Sequence, residues 1–245
     1  MRMRRKYYSK NMIEVLDYHN YRTYKKNGKR MPRMNTTSEE VAKYNEKMAE
    51  AMLRLLIDNN FKANDYYITL TYTEQPTWET AKEDIRKFIK RLQYKYKKEG
   101  QELKYIYVVE GKRRIHFHMI INASVKIYAD DLMKLWKHGY TKLVLYRGRP
   151  DDAVRLAKYF IKERRSVFYE KNEVFKKRWV SSQNLIKPKK KTETLKSDVW
   201  SVQIKVPKGY YLETDSVVEG VSIMGYPYRA YRLLKIPEEG GAHGN

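Results

Sequence analysis

Two histidines separated by one residue are the feature of this sequence best suited to chemistry. They lie in RIHFHMII, residues 114–121, and the 245-residue chain has only five histidines. Because side chains alternate along a β-strand, His116 and His118 should share one face while Phe117 points to the other. Their Cβ atoms would lie roughly 7 Å apart, close enough for both imidazoles to bind one metal ion. The alternative is a pair of core histidines whose ring nitrogens are satisfied by hydrogen bonds.

Glu110, at the end of the preceding strand, could supply a third ligand. Residues directly opposite each other in a hairpin share a face, so Glu110 joins the histidines if it pairs with Arg114 or His116, across a three- or five-residue loop. A four-residue loop would pair it with Ile115 and turn it away. Two imidazoles and a carboxylate would favour a hard divalent ion such as Mg²⁺ or Mn²⁺. Otherwise Glu110 is an ordinary strand-end carboxylate beside basic residues.

A tyrosine on a downstream helix is the candidate nucleophile. The segment DDAVRLAKYFIKERR, residues 151–165, has the apolar spacing of a helix, and Tyr159 lies beside its apolar stripe. Arg155 precedes Tyr159 by one turn and Lys162 follows it by one turn. These cations are expected to favour the phenolate and to hold a phosphate nearby. The alternative is an amphipathic tyrosine at a helix boundary.

The elements around these residues follow the order β-α-β-β-α-β-α between residues 66 and 165. Strands are predicted at 66–77, 103–110, 115–122 and 140–146, and helices at 80–98, 130–137 and 151–165. Thr80 and Glu83 have the spacing of a capping box at the start of the first of these helices. The order predicts an α+β fold with a ferredoxin-like, split βαβ antiparallel sheet and helices on one face.

Three segments are expected along the chain. Residues 1–60 are predicted to form a basic N-terminal arm followed by an amphipathic helix, and residues 61–186 the catalytic domain. Residues 187–245 begin with the basic linker KPKKKTETLKS and continue into C-terminal strands expected to pack on the catalytic domain.

The composition favours a polyanionic partner. There are 52 basic and 29 acidic residues, for a net charge of +23, which fits nucleic acid better than a merely soluble basic protein. Without cysteine, neither disulfides nor thiolate metal sites can form. No apolar run suggests a membrane span or a signal peptide, so the expected location is the cytoplasm. No P-loop motif is found, so no helicase activity of its own is expected of this chain.

Three motifs in order resemble the rolling-circle replication initiators of the HUH endonuclease class. They are YITLTYT, then HFH between apolar residues, then AKYFIKE. In that class a His-hydrophobe-His strand binds a divalent metal, and a downstream helical tyrosine attacks DNA. The flanking segments LWKHGYTKLVL and RWVSSQNLIKP are similar to those of initiators from Gram-positive bacteria and their mobile elements. The resemblance covers roughly residues 66–188 and depends on the ordered combination of motifs.

The resemblance implies a role for each candidate residue. His116, His118 and Glu110 would bind Mg²⁺ or Mn²⁺, Tyr159 would be the nucleophile, and Lys162 would be the cation of the Tyr-x-x-Lys pattern. The chain departs from some relatives, which have a second tyrosine one turn before the first. Here that turn holds an arginine, which implies a single-tyrosine initiator.

The DNA-binding residues are expected in two groups around this site. Arg155 and Lys158 belong to the tyrosine helix, and Lys112, Arg113 and Arg114 belong to the link between the two central strands. The expected partners are single-stranded or extruded origin DNA, because the target must leave the base stack, together with a host helicase and polymerase.

The implied reaction is site-specific nicking and joining of one DNA strand. Tyr159 would attack the scissile phosphate, leaving a 5′-phosphotyrosine and a free 3′-hydroxyl that primes rolling-circle replication. If another tyrosine reacted, Tyr107 and Tyr169 are the next candidates. The alternatives are another HUH enzyme, such as a relaxase or a single-tyrosine transposase, and a non-catalytic nucleic-acid-binding protein.

Overall fold

The computed structural model describes most of the chain. The described residues are 1–20, 39–111, 113–123, 128–169, 173–197, 201, 203–221 and 225–237. They divide into two compact units, one of residues Asn45–Lys187 and one of residues Met1–Tyr44 and Pro188–Asn245. Among the described residues, no helix has the length and hydropathy needed to cross a membrane.

Within the described residues the chain forms ten strands and four helices. In chain order they are β1 (Arg2–Tyr8), β2 (Met12–His19), α1 (Glu39–Asn60), β3 (Tyr66–Thr71), α2 (Trp78–Lys98), β4 (Tyr105–Glu110), β5 (His116–Ile121), α3 (Ala129–Leu135), β6 (Thr141–Leu145), α4 (Pro150–Tyr169), β7 (Val180–Ser181), β8 (Lys189–Thr194), β9 (Tyr210–Val221) and β10 (Pro227–Lys235).

The unit Asn45–Lys187 is built on one antiparallel sheet in the order β6-β3-β5-β4-β7. Strand β5 lies between β3 and β4, which are joined through α2, and β6 adds to the other edge of β3. This is the predicted split βαβ order, extended by the two-residue strand β7 beside β4. The α+β fold class is therefore confirmed.

Helices α2 and α3 cover one face of this sheet. The apolar stripe of α2 is fully buried with strand residues such as Leu70, Phe117 and Met119, and α3 adds Leu132 to the same cluster. Helix α2 begins at Trp78 and is capped by Thr77, whose hydroxyl accepts the Thr80 backbone N–H at 3.2 Å. The prediction of a cap at Thr80 was therefore wrong by three residues, because either threonine can precede the same apolar stripe.

Helix α4 lies against the opposite face, which bears the histidines. Phe160 of α4 approaches the Tyr67 ring at 6.2 Å, and Tyr159 contacts His118. The sequence predicted that the helices lie on one face of the sheet. Helices α2 and α3 do so, whereas α4 lies on the opposite face. Helices on both faces let the same sheet bury an apolar core on one side and hold polar groups on the other.

The second unit contains a sheet of its own, in the order β8-β1-β2-β10-β9. Its apolar cluster centres on Ile13, Val15, Tyr231 and Leu233. Within the predicted basic N-terminal arm, residues 2–8 and 12–19 form β1 and β2.

Buried charge explains why these two strands were missed in the sequence. Arg4 donates to both carboxylate oxygens of the fully buried Asp17, at 2.6 and 2.8 Å, and Arg229 lies 3.7 Å from the same carboxylate. The arginines that suggested a basic arm are therefore part of the sheet. The expected packing of the C-terminal strands on the catalytic domain stays a prediction.

Candidate metal centre and neighbouring tyrosine

The hairpin between β4 and β5 brings Glu110 onto the face of the histidines. Glu110 pairs directly with His116, so the connecting loop has five residues, 111–115. This is one of the two registers in which the sequence expected Glu110 to join the site. In the same register His118 pairs with Val108 and with Thr69 of β3. The site therefore rests on three adjacent strands of a hydrogen-bonded sheet.

Glu110, His116 and His118 form a candidate metal-binding group. Their ligand atoms all lie within 4.8 Å of one another. Glu110 Oε2 is 2.8 Å from His116 Nε2 and 3.3 Å from His118 Nε2, and the imidazole ring centres are 4.9 Å apart. A carboxylate between two imidazoles is a donor set for a divalent cation.

The contacts of His116 indicate that the group of Glu110, His116 and His118 can hold a cation. Its Nδ1 lies 2.9 Å from the carbonyl oxygen of Arg114, which can only accept, so Nδ1 carries a proton. In the neutral ring the lone pair on Nε2 then faces the Glu110 carboxylate at 2.8 Å. Two electron-rich groups at that distance are stabilised when a proton or a metal ion lies between them.

His118 is the more deeply buried of the two histidines, with 5% of its side chain exposed. Burial, and secondarily the neighbouring His116, lower its pKa from 6.5 to about 3. At neutral pH His118 is therefore an uncharged imidazole, which is the form that binds metals.

Tyr159 lies directly beside this group. Its hydroxyl is 3.2 Å from His118 Nε2, and the two rings meet edge to face with centres 5.0 Å apart. The side chain is 37% exposed, so its hydroxyl is held by the site while part of the ring remains open to solvent. Tyr159 and His118, which are 41 positions apart in the chain, are thus in contact in the folded unit.

The expectation that flanking cations favour the Tyr159 phenolate is wrong for this structure. Burial, and next the charge of Glu163, raise the pKa of Tyr159, while a hydrogen bond from Tyr67 lowers it. Arg155 is exposed and forms an ion pair with Asp151 on its own helix, and Lys162 is exposed. Long cationic side chains on a solvated helix face extend away from the ring, so spacing alone overstated their effect.

The other residues predicted to bind DNA are placed differently from one another. Lys158 is exposed on α4, and Lys112 lies outside the described residues. Arg113 and Arg114 line a cleft beside the histidines, where the Arg114 guanidinium donates to the carbonyl oxygens of Tyr72 and Thr73 at 3.0 and 3.1 Å. Arg114 thus also ties the hairpin to the segment that connects β3 to α2.

The cleft has a volume of about 620 Å³ and opens along the ligand group. Its walls include Glu110, His116, Thr69, Thr71 and Gln75. The side-chain amide oxygen Oε1 of Gln75 accepts the backbone N–H of Ile115 at 2.6 Å, which supports the hairpin loop. The cleft therefore joins the candidate metal group to a wall of hydroxyl, amide and guanidinium groups, which suits a phosphate-containing ligand.

Two contacts of His118 do not follow from the sequence alone. Tyr67 and Thr69, both on β3, place their hydroxyl oxygens 2.7 and 3.3 Å from His118 Nδ1. Their position in YYITLTYT shows that they share a strand face, but only the register of β3 beside β5 puts that face next to His118. The second candidate nucleophile, Tyr107, is buried on the opposite face with Phe117, and the side chain of Tyr169 is not described.

Fold and site together define an α+β protein with a candidate metal group beside a tyrosine hydroxyl. Residues 65–164 match the model of a family described as replication-associated protein ORF2. The match runs from just before β3 into α4 and includes Glu110, both histidines and Tyr159. It supports a replication initiator and interaction with DNA. Comparisons with curated proteins and with solved structures found no match.

Proposed function

We propose that this protein initiates rolling-circle DNA replication by nicking and rejoining one DNA strand through a phosphotyrosine intermediate. The observation that carries the proposal is the contact of the Tyr159 hydroxyl with His118 Nε2, at 3.2 Å, on the face that also bears His116 and Glu110. The match of residues 65–164 to a replication-associated family supports the same function.

In this proposal Glu110, His116 and His118 would hold Mg²⁺ or Mn²⁺. The bound cation would offset negative charge on the scissile phosphate. The ligand set does not distinguish Mg²⁺ from Mn²⁺, since both accept oxygen and imidazole donors. The buried, uncharged His118 and the Arg114 carbonyl at His116 Nδ1 prepare both imidazoles as ligands.

Tyr159 would act as the nucleophile. Its phenolic oxygen forms a bond to phosphorus while the bond from phosphorus to the 3′ oxygen breaks, so one phosphodiester replaces another. The phenolic proton goes to solvent and the departing 3′ oxygen takes a proton from solvent, which leaves a primer 3′-hydroxyl. Because the new ester conserves the bond energy, the same site can rejoin the strand in the reverse reaction. Lys162, Lys158 and Arg155 would steer the DNA backbone toward the site from the exposed face of α4.

A covalent-capture experiment tests the proposal. Single-stranded oligonucleotides that tile the replicon encoding the protein are labelled at the 3′ end, because the fragment that bears the 5′ phosphate remains on the tyrosine. They are incubated with the protein with or without Mn²⁺ and run on a denaturing gel. We expect a labelled protein band for one oligonucleotide, only with Mn²⁺.

Two variants give this experiment its controls. Tyr159→Phe should form no covalent band, whereas Tyr94→Phe, a tyrosine 63% exposed on α2, should react like the wild type. A band that survives in Tyr159→Phe would reveal a different nucleophile. A non-catalytic nucleic-acid-binding protein would instead give no band under any condition, and Tyr159→Phe would change nothing.

A further inference from the structure

Tyr67 occupies the side of His118 that faces away from the other ligands. Its hydroxyl oxygen is 2.7 Å from His118 Nδ1, closer than the Thr69 hydroxyl at 3.3 Å. The Tyr67 ring lies nearly parallel to the imidazole, with centres 6.1 Å apart and an angle of 8° between the planes. Phe160 packs against the same ring at 6.2 Å and limits its movement.

The tautomer of His118 determines what Tyr67 does. His118 can bind a cation through Nε2 only if that nitrogen keeps its lone pair, and in a neutral imidazole the single proton is then on Nδ1. The Tyr67 oxygen, 2.7 Å away, accepts this proton as a hydrogen bond. Such partners behind a metal-binding histidine fix both the tautomer and the orientation of the ring.

The same hydroxyl also reaches the proposed nucleophile. The rings of Tyr67 and Tyr159 meet edge to face with centres 6.5 Å apart. When its oxygen accepts from His118, the Tyr67 hydroxyl still has its own proton to donate to the Tyr159 oxygen. A side-chain hydrogen bond joins Tyr67 and Tyr159.

Tyr67 is poorly placed to be a second nucleophile. It contacts His118 at Nδ1, whereas Glu110 and Tyr159 contact the ring at Nε2. The Tyr67 hydroxyl therefore meets His118 at the ring nitrogen that does not face Glu110. Tyr67 can act on the reaction only through His118 and Tyr159.

We propose that Tyr67 is a positioning residue that holds His118 in its metal-binding tautomer and simultaneously orients the Tyr159 hydroxyl. This inference rests on the proposed function. It predicts two separable defects when the hydroxyl is removed, one in metal affinity without DNA and one in the rate of covalent capture at saturating metal. A residue that only stabilised the fold would produce neither defect in a variant that melts like the wild type.

Calorimetric titration of the DNA-free protein with Mn²⁺ tests the first defect. Tyr67→Phe keeps the ring and its packing, and should weaken Mn²⁺ binding by about 10- to 100-fold, the usual effect of removing such a partner. Tyr66→Phe is the matched control, because the neighbouring residue points to the opposite face and packs against the apolar core. It should bind Mn²⁺ like the wild type. Thr69→Val removes the longer contact and should weaken binding less than Tyr67→Phe, which provides a second variant if the first melts early.

Covalent capture at saturating Mn²⁺ tests the second defect. Tyr67→Phe should react more slowly than the wild type, and peptide mapping should still find the DNA on Tyr159. Mn²⁺ affinity and capture rate equal to those of the wild type would overturn the role of Tyr67, as would an adduct on Tyr67. If the wild type itself bound no Mn²⁺, the metal centre of the proposed function would fail, which distinguishes the two failures.

Discussion

Gly111 provides a direct test of how the hairpin loop positions Glu110. It follows Glu110 in the chain and lies against the indole of Trp78, the first residue of α2. A Cβ at residue 111 would stand 2.1 Å from Trp78 Cη2, 2.8 Å from Cζ2 and 3.1 Å from Val167 Cγ2. Carbon atoms in contact normally lie about 3.5–4.0 Å apart, so Gly111→Ala requires the loop or the indole to move by more than about 1 Å.

The loss of stability expected for Gly111→Ala follows from the packing of Trp78. Its indole cannot turn aside freely, because it meets Phe175 edge to face at 6.0 Å beside the buried core. Overpacking at such a position costs about 1–3 kcal/mol of unfolding free energy. For a protein of this size each kcal/mol corresponds to about 2–4 °C in melting temperature. Because Glu110 moves with the loop, Mn²⁺ affinity should fall as well.

A double-mutant cycle isolates this contact. Trp78→Phe removes the two indole atoms closest to the new methyl group, so the double variant should be more stable than the sum of the single effects predicts. We expect a coupling energy of about 0.5–3 kcal/mol from thermal or urea unfolding, with the exposed Arg113→Ala as a control in the same loop. Additive effects, or a Gly111→Ala variant that melts like the wild type, would refute the packing argument.

Three further predictions concern stability. The unfolded chain binds more protons than the native one between pH 6.5 and the His118 pKa of about 3, so the metal-free protein should lose stability as the pH falls through this window. The unfolding free energy should be about 2 kcal/mol lower at pH 5 than at pH 7. In urea unfolding, His118→Gln should show a weaker dependence of stability on pH than the wild type. Phe117→Ala empties a fully buried position and should lower the unfolding free energy by about 3–5 kcal/mol. Tyr94→Ala, at an exposed position, should lower it little. Equal urea midpoints for the two variants would contradict this prediction. Asp17→Asn leaves Arg4 and Arg229 without their buried counter-charge. It should destabilise the sheet of the second unit, here called the terminal sheet, by about 3–5 kcal/mol in urea unfolding. Glu193→Gln, in the more exposed pair with Lys6, is the control and should change the unfolding free energy by at most about 1 kcal/mol.

The position of the nucleophile shows the limit of sequence spacing. The spacing of α4 correctly separated Tyr159 from the buried stripe, yet it also assigned importance to Arg155, which forms an ion pair with Asp151 instead. Spacing identifies neighbours along one helix, whereas the atoms that determine the Tyr159 pKa come from β3 and β4 as well as from α4. Those contacts depend on where α4 crosses the sheet.

The terminal sheet shows a different limit. The arginines of β1 contributed to the prediction of a basic arm, because isolated arginines are rarely buried. Arg4 becomes a sheet residue only because Asp17 lies directly opposite it on β2. An ion pair between Arg4 and the fully buried Asp17 carboxylate joins residues 13 positions apart, and neither residue by itself predicts it.

The sequence alone determined the chemistry available to this protein. The alternation of a strand puts His116 and His118 on one face, and the order of strands and helices predicts the split βαβ sheet, because both follow from local backbone geometry. Tertiary structure decided which groups meet: the five-residue loop that turns Glu110 toward the histidines, the crossing of α4 that brings Tyr159 to His118, and the register that puts Tyr67 behind it. These contacts join separate elements across a sheet, and their distances depend on the packing of the whole unit rather than on any one segment.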